Sequence, residues 1–431
     1  MEKKMNYVTS LFDFIEKCPT ALHTVDTVKN ILSKAGYTEL SEADTEKFST
    51  PGRYFVVRGG SSIIAFASGD RAEGFTLCAS HTDTPSLKVT GLEEKCGAYA
   101  GVPVEKYGGS ILYSWLDRPL SLAGRVVVRT EDGLEVRLVN VDSDLLSIPS
   151  IAIHQNRGVN DGYKFNPAID MLPLLSVDNG GGSLKGIVAD SLKVSPCDII
   201  SSDLYVYNRE RGRVFGKKGE FILSPRLDNL ASVYSSLTAL LESEYREDTV
   251  RVFCAFDNEE VGNSTKQGAN STFLKSVLEK IAGNSDKLSS MLQSSFMVSL
   301  DNSHASHPNH PELANPKATV IIGKGVAVKY HAGQLYTTDA VSDAIIRTVA
   351  GKASVSLQSF ATRADMLSGS TLGSVATTRL GISSVDLGIP QLAMHSASET
   401  MGTEDFIDAV KLLKALYSSK INIRAEKITI E

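Results

Sequence analysis

Basic residues are not in excess in this chain: 44 Lys and Arg stand against 50 Asp and Glu, for a formal net charge of −6. That balance argues against nucleic acid as a partner, because phosphate binding needs a clustered positive surface. No stretch approaches the ~18 consecutive apolar residues of a membrane helix. Asp13 and Glu16 interrupt the apolar residues behind the opening MEKKMNYV, so no secretory signal is expected. Cysteine is scarce. The five present (Cys18, Cys78, Cys96, Cys197, Cys254) are odd in number and form no CxxC pair. This excludes a thiolate metal site and fits buried thiols in a reducing compartment, so the expected location is cytoplasmic. What remains is an ordinary globular composition over 431 residues, 42% hydrophobic and 22% charged, enough for two or three domains.

The first forty residues carry helical periodicity at Val8, Leu11, Phe12 and Ile15, then at Val25, Val28 and Ile31, broken at Cys18-Pro19. Strand-like runs follow at Tyr54–Val57, Ser62–Ala67 and Phe75–Ala79. From residue 88 to 221 the texture is different. Short β-type runs at Ile111–Trp115, Arg125–Arg129, Leu134–Val139 and Ser202–Tyr207 are separated by turns such as Asp132-Gly133. The loop Gly180-Gly181-Gly182 is followed by Ser183-Leu184 rather than Lys-Ser, so it reads as a turn and not a phosphate cradle.

After Phe221 strands and helices alternate. Helix Asn229–Leu241 leads to strand Thr249–Phe256, and a helical stretch at Ser271–Ile281 leads to strand Phe296–Leu300. Helix Thr338–Ala350, strand Ser354–Phe360, helix Ser370–Leu380, strand Ser384–Leu387 and helix Thr403–Tyr417 complete the series. The expected fold class is α/β, a layered mixed sheet with helices on both faces, interrupted by an inserted β-rich domain. The expected boundaries are 1–87 with 222–431 for the first domain, and 88–221 for the insert.

Chemistry-bearing residues fall where these strands end. Phe75–Ala79 empties into His81 and Asp83, Thr249–Phe256 into Asp257-Asn258-Glu259-Glu260, and Phe296–Leu300 into Asp301. The stretch after Ser384–Leu387 reaches His395, and Asp228 lies just before a helix. Ligands bind outside the carboxyl ends of strands in open α/β sheets, so five segments deliver metal-type side chains to one edge. Imidazole with carboxylate suits zinc, and also cobalt or manganese. Two histidines and three carboxylates exceed an ordinary catalytic zinc site and suit two ions ~3.5–4 Å apart sharing a carboxylate. Of two adjacent glutamates, one can bind metal while its neighbour accepts a proton from the attacking water.

The runs His81-Thr82-Asp83-Thr84-Pro85, Pro225-Arg226-Leu227-Asp228-Asn229, Asp257-Asn258-Glu259-Glu260-Val261-Gly262 and Gln391-Leu392-Ala393-Met394-His395-Ser396 resemble the aspartyl aminopeptidase family, over nearly the whole chain. So do Ile148-Pro149-Ser150-Ile151-Ala152-Ile153-His154 and Asp301-Asn302-Ser303-His304-Ala305-Ser306-His307-Pro308-Asn309. The resemblance implies a two-metal, usually zinc, aminopeptidase whose insert is a dimerisation domain, assembling as a homo-oligomer of dimers, commonly a dodecamer. It implies His81 and Asp301 on one metal, Glu260 and His395 on the other, and Asp228 between them. It further implies Glu259 as general base, Asp83 as the residue orienting His81, and His154 and Lys329 at the substrate. His154 would meet the scissile carbonyl from the partner subunit. One departure is Leu367-Ser368, where many relatives have Pro-Cys.

Other residues take plainer readings. His304, His307 and His310 share a three-residue spacing, but Pro308 and Pro311 break any helix through them, so they read as a polar loop. His23 reads as structural, His331 as a loop residue, and Cys78 and Cys254 as inert thiols within apolar strands. Two other functions share the same ligand set: a two-metal deacylase acting on another amide, and a catalytically silent oligomeric scaffold.

Overall fold

A computed structural model describes residues 2–92, 95–96, 99–177, 183–424 and 427–431. The loop Gly180–Gly182 lies outside the described residues. Nine strands form the main sheet, in the spatial order Thr38–Leu40, Gly52–Arg58, Ser62–Ser68, Thr249–Phe256, Gly74–His81, Phe296–Leu300, Ser383–Gly388, Val326–Lys329 and Leu357–Phe360. The four strands from Thr249–Phe256 to Ser383–Gly388 run parallel, so their carboxyl ends emerge on one edge. Ser62–Ser68 and Val326–Lys329 flank them antiparallel, which makes the sheet mixed.

Every residue of Gly74–His81, Thr249–Phe256 and Phe296–Leu300 is buried. Strands covered on both faces read as near-continuous apolar runs, which is why the sequence marks them so clearly. Helices Glu2–Lys17, Ala21–Lys34, Leu227–Glu242, Ala340–Ala353 and Thr403–Tyr417 pack on one face through Leu11, Val28, Leu230, Ile345 and Leu413. Helices Phe273–Ala282, Ser285–Leu292 and Leu372–Leu380 cover the other through Phe273, Leu288 and Leu372. The layered α/β expectation is met.

A second sheet is antiparallel throughout, in the order Gly133–Asn140, Leu120–Thr130, Ile199–Asn208, Ser86–Val89 and Val104–Tyr107. Leu87, Leu122, Val126, Leu204 and Val206 gather on its inner face around Trp115. A small third sheet joins Phe221–Ser224, Glu399–Gly402, Pro390–Leu392 and Ser303–His304, and so braces the loops that carry His395.

Three expectations change. Ile111–Trp115 is not a strand but contains the 3-10 turn Leu112–Trp115. In a strand Tyr113 and Trp115 would share a face, whereas Tyr113 is 67% exposed and Trp115 4%. Helix Ala340–Ala353 outlasts its expected end, and Ser354 caps it at φ +54°, so the following strand begins only at Leu357. Helix Ser285–Leu292 went unread, although Asn284 caps it by accepting the Lys287 N–H.

Candidate metal centre and active site

His81 is the last residue of Gly74–His81, and Asp301 lies one step beyond Phe296–Leu300. Glu259 and Glu260 occupy the short turn Glu259–Val261 beyond Thr249–Phe256. Asp228 sits in the first turn of Leu227–Glu242, and His395 lies in the bend between Pro390–Leu392 and Glu399–Gly402 with φ +68°. The sheet edge brings all six together.

The two oxygens of Asp228 face different histidines. Oδ1 lies 3.4 Å from His81 Nε2, and Oδ2 lies 3.8 Å from His395 Nε2. His81 Nε2 is also 3.5 Å from Asp301 Oδ1, and His395 Nε2 is 3.5 Å from Glu260 Oε1. Ligand atoms therefore group as His81–Asp228–Asp301 and Asp228–Glu260–His395, with Asp228 common to both. A third grouping of His81, Glu259 and Glu260 places Glu259 against the same space.

These donors fit divalent metal. Asp228 Oδ1 is buried and accepts no hydrogen bond among the described residues, an orphan that a cation would satisfy. Four carboxylates converge in a poorly solvated space, which costs several kcal/mol per ion unless opposite charge compensates. Burial, reinforced by Asp301, Asp83 and Asp228 against the lowering effect of His81, pushes Glu259 up to about 8. Burial and Asp228 hold Glu260 well above the usual carboxylate range. A divalent cation held among these groups would oppose both shifts. Burial raises Asp301 too, but Lys329 and His81 outweigh it and hold the carboxyl below its ordinary range.

Supporting contacts fix these side chains. His81 Nδ1 donates to the Asp83 carbonyl at 3.0 Å and lies 3.4 Å from its Oδ1, so Nε2 is left to face the carboxylates. Glu399, fully buried, accepts the Asp228 N–H at 2.9 Å and the His395 N–H at 2.7 Å. Sequence reading missed Glu399. It acts on backbone amides, and its only trace in the sequence is its place four residues after His395.

A cavity of about 130 Å³ opens on these residues and is also lined by His304, Lys329, Tyr336, Phe360, Thr371 and Met394. Lys329 ends Val326–Lys329, is 3% exposed, and lies 3.4 Å from Asp301 Oδ2 and 5.5 Å from the Tyr336 ring centre. The three-histidine loop divides. His304 lines the cavity, while His307 and His310 pair with each other in solvent, rings 5.4 Å apart. His154 lies in an exposed turn and is not among the residues lining this cavity. His23, in the first turn of helix Ala21–Lys34, pairs with the Thr20 hydroxyl at 2.8 Å, a structural role.

The profile of a family described as "Aminopeptidase I zinc metalloprotease (M18)" matches residues 14–417. The chain is 39% identical to a probable M18 family aminopeptidase 2 of Clostridium novyi, covering 97% of this chain and 100% of that protein. It is 37% identical to aspartyl aminopeptidase 1 of Schizosaccharomyces pombe, covering 97% and 96%. Among solved structures, it superposes on a chain in the cryo-EM structure of the Ape4 and Nbr1 complex with a TM-score of 0.93. That match has 35% identity and covers 96% of this chain and 86% of that one.

Proposed function

The chain belongs to the M18 family of aminopeptidase I zinc metalloproteases and is a metal-dependent aminopeptidase, and on that premise we propose how its residues share the work. Two divalent ions, zinc in the first instance, would be held by His81 with Asp301 and by Glu260 with His395, with Asp228 serving both. The observation that carries this is the division of the Asp228 carboxylate, one oxygen towards each histidine. When bound, the ions supply Lewis acidity that polarises the scissile carbonyl and makes the attacking water more acidic. Glu259 accepts that water's proton and returns it to the departing amine. Asp83 keeps His81 in the tautomer that presents Nε2.

Lys329 places a buried cation at the cavity, which suits an acidic N-terminal side chain such as Asp or Glu, although Asp301 shares its charge. An aminopeptidase acts on peptides with free amino termini, which are the proposed substrates. Residues 88–221 form the inserted dimerisation domain, with 1–87 and 222–431 as the catalytic domain. Exposed Leu134, Val136, Ile151, Ile153 and Ile169 support an apolar contact between subunits of a homo-oligomer. His154 stands in that same exposed stretch and reaches the partner's active site, where its N–H meets the carbonyl oxygen. No described helix is long and apolar enough to cross a membrane. The free thiols of Cys18, Cys78 and Cys254, all buried, support a reducing, cytoplasmic setting.

The test is a panel of aminoacyl anilides beside their N-acetylated counterparts, assayed before and after chelator dialysis. Hydrolysis confined to the free-amine series, lost on chelation and restored by zinc, cobalt or manganese, is expected. Turnover of the N-acetylated series would favour a deacylase, and full activity in elementally metal-free protein would refute the reading.

A further inference from the structure

Tyr107 ends strand Val104–Tyr107 at the edge of the five-stranded sheet, and its phenol crosses to the residues of the main sheet. The hydroxyl donates to Asp83 Oδ2 at 2.7 Å and accepts from Asn258 Nδ2 at 3.0 Å. Asp83 in turn holds both glutamates by their backbone. Its Oδ1 accepts the Glu259 N–H at 3.1 Å, and its Oδ2 accepts the Glu260 N–H at 3.2 Å. Asn258 enters the Glu259–Val261 turn with a left-handed φ of +66°. Its Oδ1 accepts from Thr265 Oγ1 at 2.8 Å and from Gln267 Nε2 at 2.9 Å. One hydroxyl is thus shared by the two groups that fix the backbone under Glu259 and Glu260. Without it the Asp83 carboxylate could turn about its own bond, and the two amides would follow.

The surrounding packing leaves Tyr107 little freedom. Its ring meets Tyr205 edge-on, at 5.6 Å between centres and 82° between planes. The next two residues are glycines pressed on the metal centre. A Cβ at Gly108 would lie 3.1 Å from Glu260 Cβ, and one at Gly109 would lie 3.1 Å from His395 Nδ1. Two residues on, the Ile111 N–H donates to the His395 carbonyl at 3.0 Å. The same short segment therefore touches Asp83, Glu260 and His395 in turn.

We propose that Tyr107 is a positioning residue for the aminopeptidase reaction: it holds the Asp83 carboxylate so that Asp83 fixes Glu259 and Glu260 against each other. The inference rests on the reading of Glu259 as the base. Tyr107→Phe keeps the ring and removes only the hydroxyl. Losing a hydrogen bond to a charged group that acts on alignment should lower kcat by about 10–100-fold, with KM within about threefold and zinc content unchanged. In a Glu259→Gln background the same change should cost less than about threefold, because the group being aligned is gone. Asn258→Gly, which preserves the left-handed backbone and removes the other partner of the hydroxyl, should lower kcat too, and its effect should not multiply with that of Tyr107→Phe. Tyr205→Phe, which alters the packing partner alone, should keep the parent kcat. Parent kcat in both Tyr107→Phe and Asn258→Gly would overturn the proposal. So would an equal loss with and without Glu259, or a loss that follows zinc content. An inactive Glu259→Gln beside fully active Tyr107→Phe and Asn258→Gly refutes this inference alone, whereas a fully active Glu259→Gln refutes the base assignment and this inference with it.

Discussion

Strands Gly74–His81, Thr249–Phe256 and Phe296–Leu300 of the main sheet are buried along their whole length, whereas Gly133–Asn140, at the edge of the second sheet, leaves Leu134 67% and Val136 62% exposed. The first arrangement fixes strand ends from both faces, so side chains placed there keep their mutual geometry without help from solvent. The second leaves apolar area that water does not favour and that a second subunit can cover. Under the proposed function this difference is a division of labour, with chemistry at the end of the buried sheet and assembly on the exposed one. Changes at the first should stop turnover without altering assembly, and changes at the second should act through assembly.

The sharpest way to break that division is Asp228→Asn. It removes a charge that both halves of the centre share, so the loss of turnover should exceed that of any other single change, with metal lost but oligomer size kept in light scattering. Next in size is Glu259→Gln. Loss of a general base costs ~10²–10⁴-fold in rate, and elemental analysis should find its zinc retained, while Glu260→Gln should shed zinc. Parent-level turnover by Glu259→Gln would overturn the base assignment.

A smaller loss is expected from His154→Ala. A lost donor to a developing oxyanion costs about 3–4 kcal/mol, or a few hundredfold. Because the proposed contact crosses between subunits, mixing His154→Ala with Glu259→Gln under subunit exchange should restore some activity. Recovery failing despite proven exchange would confine His154 to its own subunit. The paired change Leu134→Asp with Val136→Asp should shift the sedimentation profile towards monomer and reduce turnover to about the His154→Ala level.

The least effect concerns neither sheet's active edge. Burial pushes His23 down to about 4. A histidine with a depressed folded pKa contributes stability that is complete above its unfolded value of ~6.5 and is lost as pH falls from there towards 4. The unfolding free energy from urea titrations should therefore drop between pH 7 and pH 5 by about 1 kcal/mol more in the parent than in His23→Gln, discounted for the partial exposure of the ring. Equal drops would place the acid sensitivity elsewhere.

How far the sequence foretold the structure follows the same division. Thr249–Phe256, Phe296–Leu300 and helix Thr403–Tyr417 have the bounds that their apolar patterns predict, because full burial leaves a strong mark on composition. His81, Asp301 and the paired glutamates were legible because each follows such a run directly. Glu399 and Tyr107 were not. Both act by holding backbone or carboxylate groups brought near only by the fold, and a tyrosine at a strand end or a glutamate at a strand start carries no periodic signal. Ile111–Trp115 misled for a related reason. Its short β-type run of aliphatic and aromatic residues is also satisfied by a turn that buries Trp115 and releases Tyr113. Lys329 was placed near substrate by resemblance, but its burial against Asp301 is a property of the folded sheet.

The central claim is that Asp228 is shared by two metal ions. Zinc titration of chelator-stripped protein, read by elemental analysis after removal of free metal, tests it directly in the parent, His395→Ala and Asp228→Asn. The account predicts two ions per chain in the parent, one in His395→Ala, and depletion at both positions in Asp228→Asn. Saturation of the parent at a single ion, or two ions retained by Asp228→Asn, would contradict it.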